Sequence, residues 1–244
     1  MKQTLQVAFS LFCLLPLALA AAAQTEDQVR DVQKLYKTAQ VPGLEVTIYL
    51  QEKNGSLTPV EPQREFHQGE RVKIRIESNF RGYLYIVNHG ASGYKTLIFP
   101  DRKESNLIRP GTAYLLPNTY ELVFDETAGF EALQVIVSQQ RLPYLDMALK
   151  QTENRLNPKQ IAAIERFWDN PKLGQAGITA GSAPVQNMLP NSAFDKEKGT
   201  TTILTDGSRD PAFRRRPPIP KPKKRTSGTP LSVGIQLRNA GAPR

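Results

Sequence analysis

His67 and His89 are the only two histidines in the chain, and its one cysteine, Cys13, lies inside the apolar run near the start. A nucleophilic site needs a base held beside its nucleophile. One stretch brings such types together: Asn88, His89 and Ser92 fall in and beside a glycine-bounded loop from Gly90 to Gly93. The loop departs from a nucleophile elbow, because its second glycine comes one residue early and no helical pattern follows it. His89 therefore reads first as a hairpin residue. Asp125 and Glu126 are neighbouring carboxylates that could serve acid-base chemistry, but neighbours within a turn ordinarily face water. No histidine pair at helical spacing, acidic calcium loop or phosphate-cradling glycine loop occurs, so neither a metal nor a cofactor is expected.

The other concentration of chemistry is charge. Arg214, Arg215, Arg216, Lys221, Lys223, Lys224 and Arg225 crowd into 214–225 with no acid among them. The interleaved prolines remove backbone donors and fix φ, so this stretch is expected to be a disordered, extended, polyproline-type segment. Its chemistry is attraction to polyanions, screened by salt. The whole chain carries +9. From Asp206 onward there are ten basic residues against Asp206 and Asp210, so the high pI belongs to this end and the body is balanced.

Lys2 followed by an apolar run to Ala20 and a cluster of alanines reads as a signal peptide over 1–23, with the mature chain starting at Gln24. The expected location is exported, periplasmic or extracellular, with no membrane span in the mature protein. Export takes nucleic acid off the list of partners, and no aromatic residue stands among the charges to stack on bases. Without a mature cysteine, stability must come from an apolar core.

That core is expected in 42–142, where apolar residues alternate with polar ones. Leu44, Val46, Ile48 and Leu50 would point one way from 44–50. Val72, Ile74 and Ile76 would point inward from 71–77, leaving Lys73 and Arg75 in water. Further runs at 83–87, 96–99, 113–116, 120–124 and 133–137 bring the total to about seven strands, separated by turn residues roughly every ten positions. The pattern predicts a mainly β fold, an antiparallel immunoglobulin-like sandwich, with a barrel as its rival. Gly69 and Gly111 are expected at positive φ, and Gly82 at a close backbone approach or bulge. Tyr83 and Tyr85 share one strand face and Leu84 and Ile86 the other; packing is the preferred role of the tyrosines, gripping a glycan or peptide the alternative.

Helices flank this domain: one over 24–41, stopped by Pro42, and a pair over 143–170, with Asn157 as N-cap, Pro158 at the first helical position and Ile161, Ile164, Phe167 and Trp168 as apolar face. Residues 171–199 have linker composition. Residues 200–244 form a basic Pro-rich tail, in which 231–237 alternates and could return as a terminal strand beside 200–205, making the basic stretch a loop.

Several short elements also recur in order: FHQGERV at 66–72, NFRGYLYI at 79–86, Ser92 with Gly93, LIFP at 97–100, NLIRPG at 106–111, YLLP at 114–117, FD at 124–125 and GFE at 129–131. Over about 44–138 the chain resembles the bacterial domain-of-unknown-function family 4384. The resemblance implies a bacterial source and a compact β domain often joined to other modules, and it brings no catalytic residues. The functional expectation is an exported, noncatalytic binding or scaffold protein of the cell envelope, whose partner is an envelope protein or an anionic envelope polymer. The alternative is an envelope-polymer hydrolase with a loop site near His89 and Ser92.

Overall fold

The structure, a computed structural model, describes residues 26–39, 41–89, 94–101, 104–150, 154–165, 177–181, 192–204 and 230–241. The signal segment 1–23, Ser92, Phe167, Trp168 and the basic stretch 214–225 lie outside the described residues.

The described chain is mainly β. Alternation of apolar and polar residues produces β1 (Gly43–Gln51), β4 (Arg71–Ser78), β5 (Gly82–His89) and β10 (Gly129–Ser138) as long strands. Shorter ones are β2 (Leu57–Val60), β3 (Glu65–Phe66), β6 (Lys95–Phe99), β7 (Leu107–Ile108), β8 (Ala113–Leu116) and β9 (Leu122–Val123). Four more follow the helices: β11 (Gly177–Gly181), β12 (Ser192–Asp195), β13 (Thr200–Leu204) and β14 (Leu231–Asn239). They form two sheets, ordered β12-β13-β1-β4-β8 and β11-β14-β10-β5-β6, with β2 on β1, β9 on β4, β3 on β14 and β7 on β5. All pairs are antiparallel except β3 with β14.

One core joins the two sheets. Leu44, Val46, Ile48, Val72, Ile74 and Ile76 of the first sheet meet Leu84, Ile86, Val135, Val137, Val233 and Ile235 of the second. The inward sets read from the alternation are these residues, apart from Leu50, which is half-buried. Their opposite neighbours are less free than alternation implied. Lys73 is half-buried, and its Nζ donates to the carbonyls of Pro117 and Tyr120, each at 2.8 Å. Arg75 pairs with Glu77. A long cationic side chain can lie along a sheet and still reach carbonyls at its edge.

The β fold also runs well past residue 142. β14 pairs with β10 over nine positions, from Leu231 opposite Val137 to Asn239 opposite Gly129. β13 pairs with β1, Leu204 opposite Gly43. Two short strands, β11 and β12, lie inside the stretch whose Gly, Ala and Ser content reads as linker. They are the outermost strands of their sheets, where backbone hydrogen bonds suffice and bulky side chains are not required. The basic stretch therefore lies between two paired strands.

Helices cover the outer faces. On the first sheet, Val32 and Tyr36 of α1 (Glu26–Lys37) pack on Ala193 and Leu204. On the second, Tyr85, Val87, Leu97 and Ile136 pack against Leu142, Leu145, Ala148, Leu156 and Ile164. Those residues come from α2 (Pro143–Asp146), the 3-10 turn Met147–Lys150, α3 (Pro158–Glu165) and the chain between. Asn157 caps α3, its Oδ1 accepting from the amides of Lys159 and Gln160 at 3.0 Å, while Gln160 Oε1 accepts from the Asn157 amide at 2.7 Å. Among the described residues, no helix is long and apolar enough to cross a membrane.

Candidate functional site at the root of the basic segment

The strands fix where the basic segment leaves and returns. β13 ends at Leu204, opposite Gly43. The Gly43 amide donates to Asn79 Oδ1 at 2.8 Å, and Asn79 Nδ2 donates to the carbonyls of Tyr36 and Val41 at 2.9 and 2.8 Å. One side chain thus ties the end of α1, the start of β1 and the β4–β5 turn together. β14 begins at Leu231 opposite Val137, which is itself opposite Leu84. Gly82 sits tightly there: a Cβ on it would come within 2.8 Å of Val137 Cγ1 and 2.9 Å of the Ser138 carbonyl. Leu204 and Leu231 therefore both lie toward the pole of the β4–β5 turn. Gly111, at φ 67°, closes this pole, its amide donating to the Ser78 carbonyl at 2.9 Å.

His89 lies at the opposite end of β5, on the outer face beside α3. Its Nε2 is 3.1 Å from Gln134 Oε1, and Gln134 Nε2 donates to Ser232 Oγ at 3.1 Å and to the Ile164 carbonyl at 3.3 Å. Burial, reinforced by the Lys95 ammonium and opposed by the Gln134 contact, lowers the His89 pKa to about 4. Lys95 is itself paired with Glu165 at 2.6 Å. Such an imidazole is neutral at pH 7 and a poor proton acceptor, whereas a general base works best with a pKa near the operating pH. Asp125 and Glu126 are exposed, and Asp125 Oδ1 accepts from the Thr127 amide at 2.8 Å, closing a turn.

Tyr83 and Tyr85 share the outer face, as their spacing suggests, and both pack there. Tyr85 is buried, donating to Asp146 Oδ1 and accepting from the Leu142 amide, both at 3.0 Å, so it pins α2 to the sheet. Tyr83 is half-buried, with the Arg141 guanidinium 5.5 Å from its ring centre.

A cluster that alternation alone does not reveal lies on the outer face of the first sheet. Glu45 is directly opposite Glu77, and Arg75 pairs with Glu77. Burial first, then the Glu77 charge, raises the Glu45 pKa, while Arg75, Lys198 and Lys37 oppose the rise. The Tyr36 hydroxyl is buried without a hydrogen-bond partner among the described residues, and burial with Glu45 and Glu77 pushes its pKa up. Register, which only strand pairing supplies, brings these groups together. No cluster of His, Cys, Asp and Glu among the described residues could hold a metal ion.

Residues 65–141 match the family model of the domain of unknown function DUF4384. The match bears out the resemblance read from the short sequence elements. It covers β3 to β10 and leaves β1, β13 and β14, which complete the two sheets, outside the DUF4384 segment. Neither a curated protein nor a solved structure matches the chain.

Proposed function

We propose that this chain is an exported, noncatalytic binding or scaffold protein of the bacterial cell envelope, and that it engages an anionic envelope polymer or an envelope protein through Arg214, Arg215, Arg216, Lys221, Lys223, Lys224 and Arg225. The observation that carries the reading is that Leu204 and Leu231, the strand residues nearest in sequence to the basic stretch, end β13 and begin β14 in different sheets, both on the side of the β4–β5 turn. In sequence the cationic stretch lies between two strands that are both paired within the sheets.

The sheet orders support an immunoglobulin-like reading. β1-β4-β8 corresponds to strands A-B-E, and β14-β10-β5-β6 to G-F-C-C′. On this scheme the β4–β5 turn is the B–C loop and the basic stretch belongs to an enlarged F–G connection. Those two loops share the binding end of variable domains, a correspondence that is analogy at the level of fold. Export is supported by 1–23, and α1 begins at Glu26, so removal of the signal leaves every described element whole. The weak basicity of His89 favours a noncatalytic role.

The test replaces all seven basic residues with Gln and compares retention on purified envelope fractions with wild type at low and high salt. Wild type should be retained at low salt and released as salt rises, and the variant should pass through. Equal retention of both at low salt would leave the basic segment a spacer.

A further inference from the structure

Asn54-Gly55-Ser56 is the only Asn-x-Ser/Thr triplet in the chain, and its middle residue is not proline. In an exported protein such a triplet is the acceptor for an N-linked sugar where it lies on a surface loop. This one does so. β1 ends at Gln51 and β2 begins at Leu57, so the triplet forms the tip of the hairpin that joins them. Asn54, Gly55 and Ser56 are all exposed. A Cβ built on Gly55 would meet no atom within 4 Å, so the space around the tip is open.

The turn is ordered, and its hydrogen bonds leave one group of Asn54 over. The Glu52 amide donates to the Ser56 carbonyl at 2.9 Å, and the Gly55 amide donates to the Glu52 carbonyl at 2.8 Å. Gly55 takes φ 84°, a conformation that its missing side chain permits. Asn54 Oδ1 accepts from the Ser56 amide at 2.9 Å and from Ser56 Oγ at 2.7 Å. Asn54 Nδ2 makes no hydrogen bond among the described residues. The Ser56 hydroxyl draws electron density toward Oδ1, which makes an Nδ2 proton easier to lose. The same turn works against the rival chemistry of an Asn-Gly pair, closure of the Gly55 nitrogen onto Asn54 Cγ with loss of ammonia, because that N–H is already given to the Glu52 carbonyl.

We propose that Asn54 is a glycosylation site, which receives an oligosaccharide after export from a lipid-linked diphosphate donor. The step forms a bond from Asn54 Nδ2 to the anomeric carbon of the donor sugar and breaks that carbon's bond to the diphosphate oxygen. The lipid diphosphate leaves, and one Nδ2 proton passes to a base of the transferring enzyme. The inference rests on the export reading and on no other part of the proposed function. Asn54 stands beyond the end of β1 that is paired with Arg71, whereas the β4–β5 turn lies beyond the end at Gly43. The sugar therefore projects from the opposite pole and leaves the β4–β5 end of the sandwich open to a partner.

The full-length chain is isolated from the cells that make it, its intact mass is measured, and the tryptic peptide 54–64 is fragmented by electron transfer to place any added mass. The expected product is a chain starting near Gln24 whose excess mass is a whole number of sugar residues, all of it on Asn54. Asn54→Gln and Ser56→Ala should each remove the added mass completely, and Ser56→Thr, which keeps a hydroxyl, should retain it. All three changes lie at an exposed turn, and thermal melting checks that the fold is unaltered. A processed chain with a bare Asn54 refutes glycosylation and leaves export standing. A processed chain in which Asn54 has become aspartate or isoaspartate refutes it in favour of the rival closure. Added mass that survives Ser56→Ala refutes the triplet as its signal. A chain that keeps 1–23 and carries a bare Asn54 refutes both the export reading and this site.

Discussion

Glu45 and Glu77 stand directly opposite each other on β1 and β4, two carboxylates on one sheet face with Arg75 paired to Glu77 alone. The Glu45 pKa is raised, so the folded state holds this proton more tightly than the unfolded chain does. The contribution of Glu45 to stability is then fully present below its unfolded pKa and is lost as pH rises through the folded value. Glu45→Gln should therefore raise stability at neutral pH by about 0.5 kcal/mol or more, on the scale of a cross-strand like-charge pair. Urea melts at pH 7 and pH 4 check this: the gain should shrink at the lower pH.

His89 runs in the other direction. Its folded pKa is lowered from 6.5 to about 4, so its stabilising contribution is present above the unfolded value and is lost as pH falls between the two. The full effect is on the order of 3 kcal/mol. His89→Gln should flatten the loss of stability between pH 6.5 and pH 4 relative to wild type, measured as melting temperature against pH. A curve parallel to wild type would mean that His89 is not the titrating group.

Ile74 and Lys73 are chain neighbours with opposite surroundings. Ile74 is 1% exposed and lies between Ile48 and Leu116, so Ile74→Asp places an unpaired charge in the joint core and should abolish folding. Lys73 holds two carbonyls of the 117–120 turn. Lys73→Ala should cost about 1 kcal/mol, the worth of side-chain hydrogen bonds to a turn, rather than being silent. Urea denaturation of both variants separates the two environments.

The legible part of this fold is the part set by alternation. Val72, Ile74 and Ile76 point inward because period two leaves no other face for them, and Asn157 with Pro158 marks the start of α3 in its own letters. What alternation cannot give is partnership. Nothing in 231–237 says that β14 takes a central place beside β10 rather than adding to an edge, and nothing in Glu45 or Glu77 says that they meet. The glycines and alanines of β11 conceal a strand because an edge strand demands little of its side chains. The seven basic residues of 214–225 were legible as a cluster, and pairing of the strands on either side turns a tail into a connection.

That connection yields the last prediction, which concerns β14. A chain ending at residue 142 keeps the DUF4384 segment but loses β11 to β14 and α3. β10 would then present nine unpaired positions along its edge, and Leu231, Val233, Ile235 and Leu237, all buried, would leave the core. Each buried aliphatic side chain of this kind contributes roughly 1.5–3 kcal/mol, so their loss amounts to about 6–12 kcal/mol, comparable with the whole stability of an ordinary domain. On the first sheet, β1 would also lose β13, with its buried Thr47 to Thr200 hydroxyl contact at 2.8 Å. The fragment 24–142 should be unfolded or aggregated, and the fragment 24–241 should melt cooperatively. Far-ultraviolet circular dichroism with urea titration of the two decides it, and a cooperative transition in the shorter fragment would show that its sheets are self-sufficient.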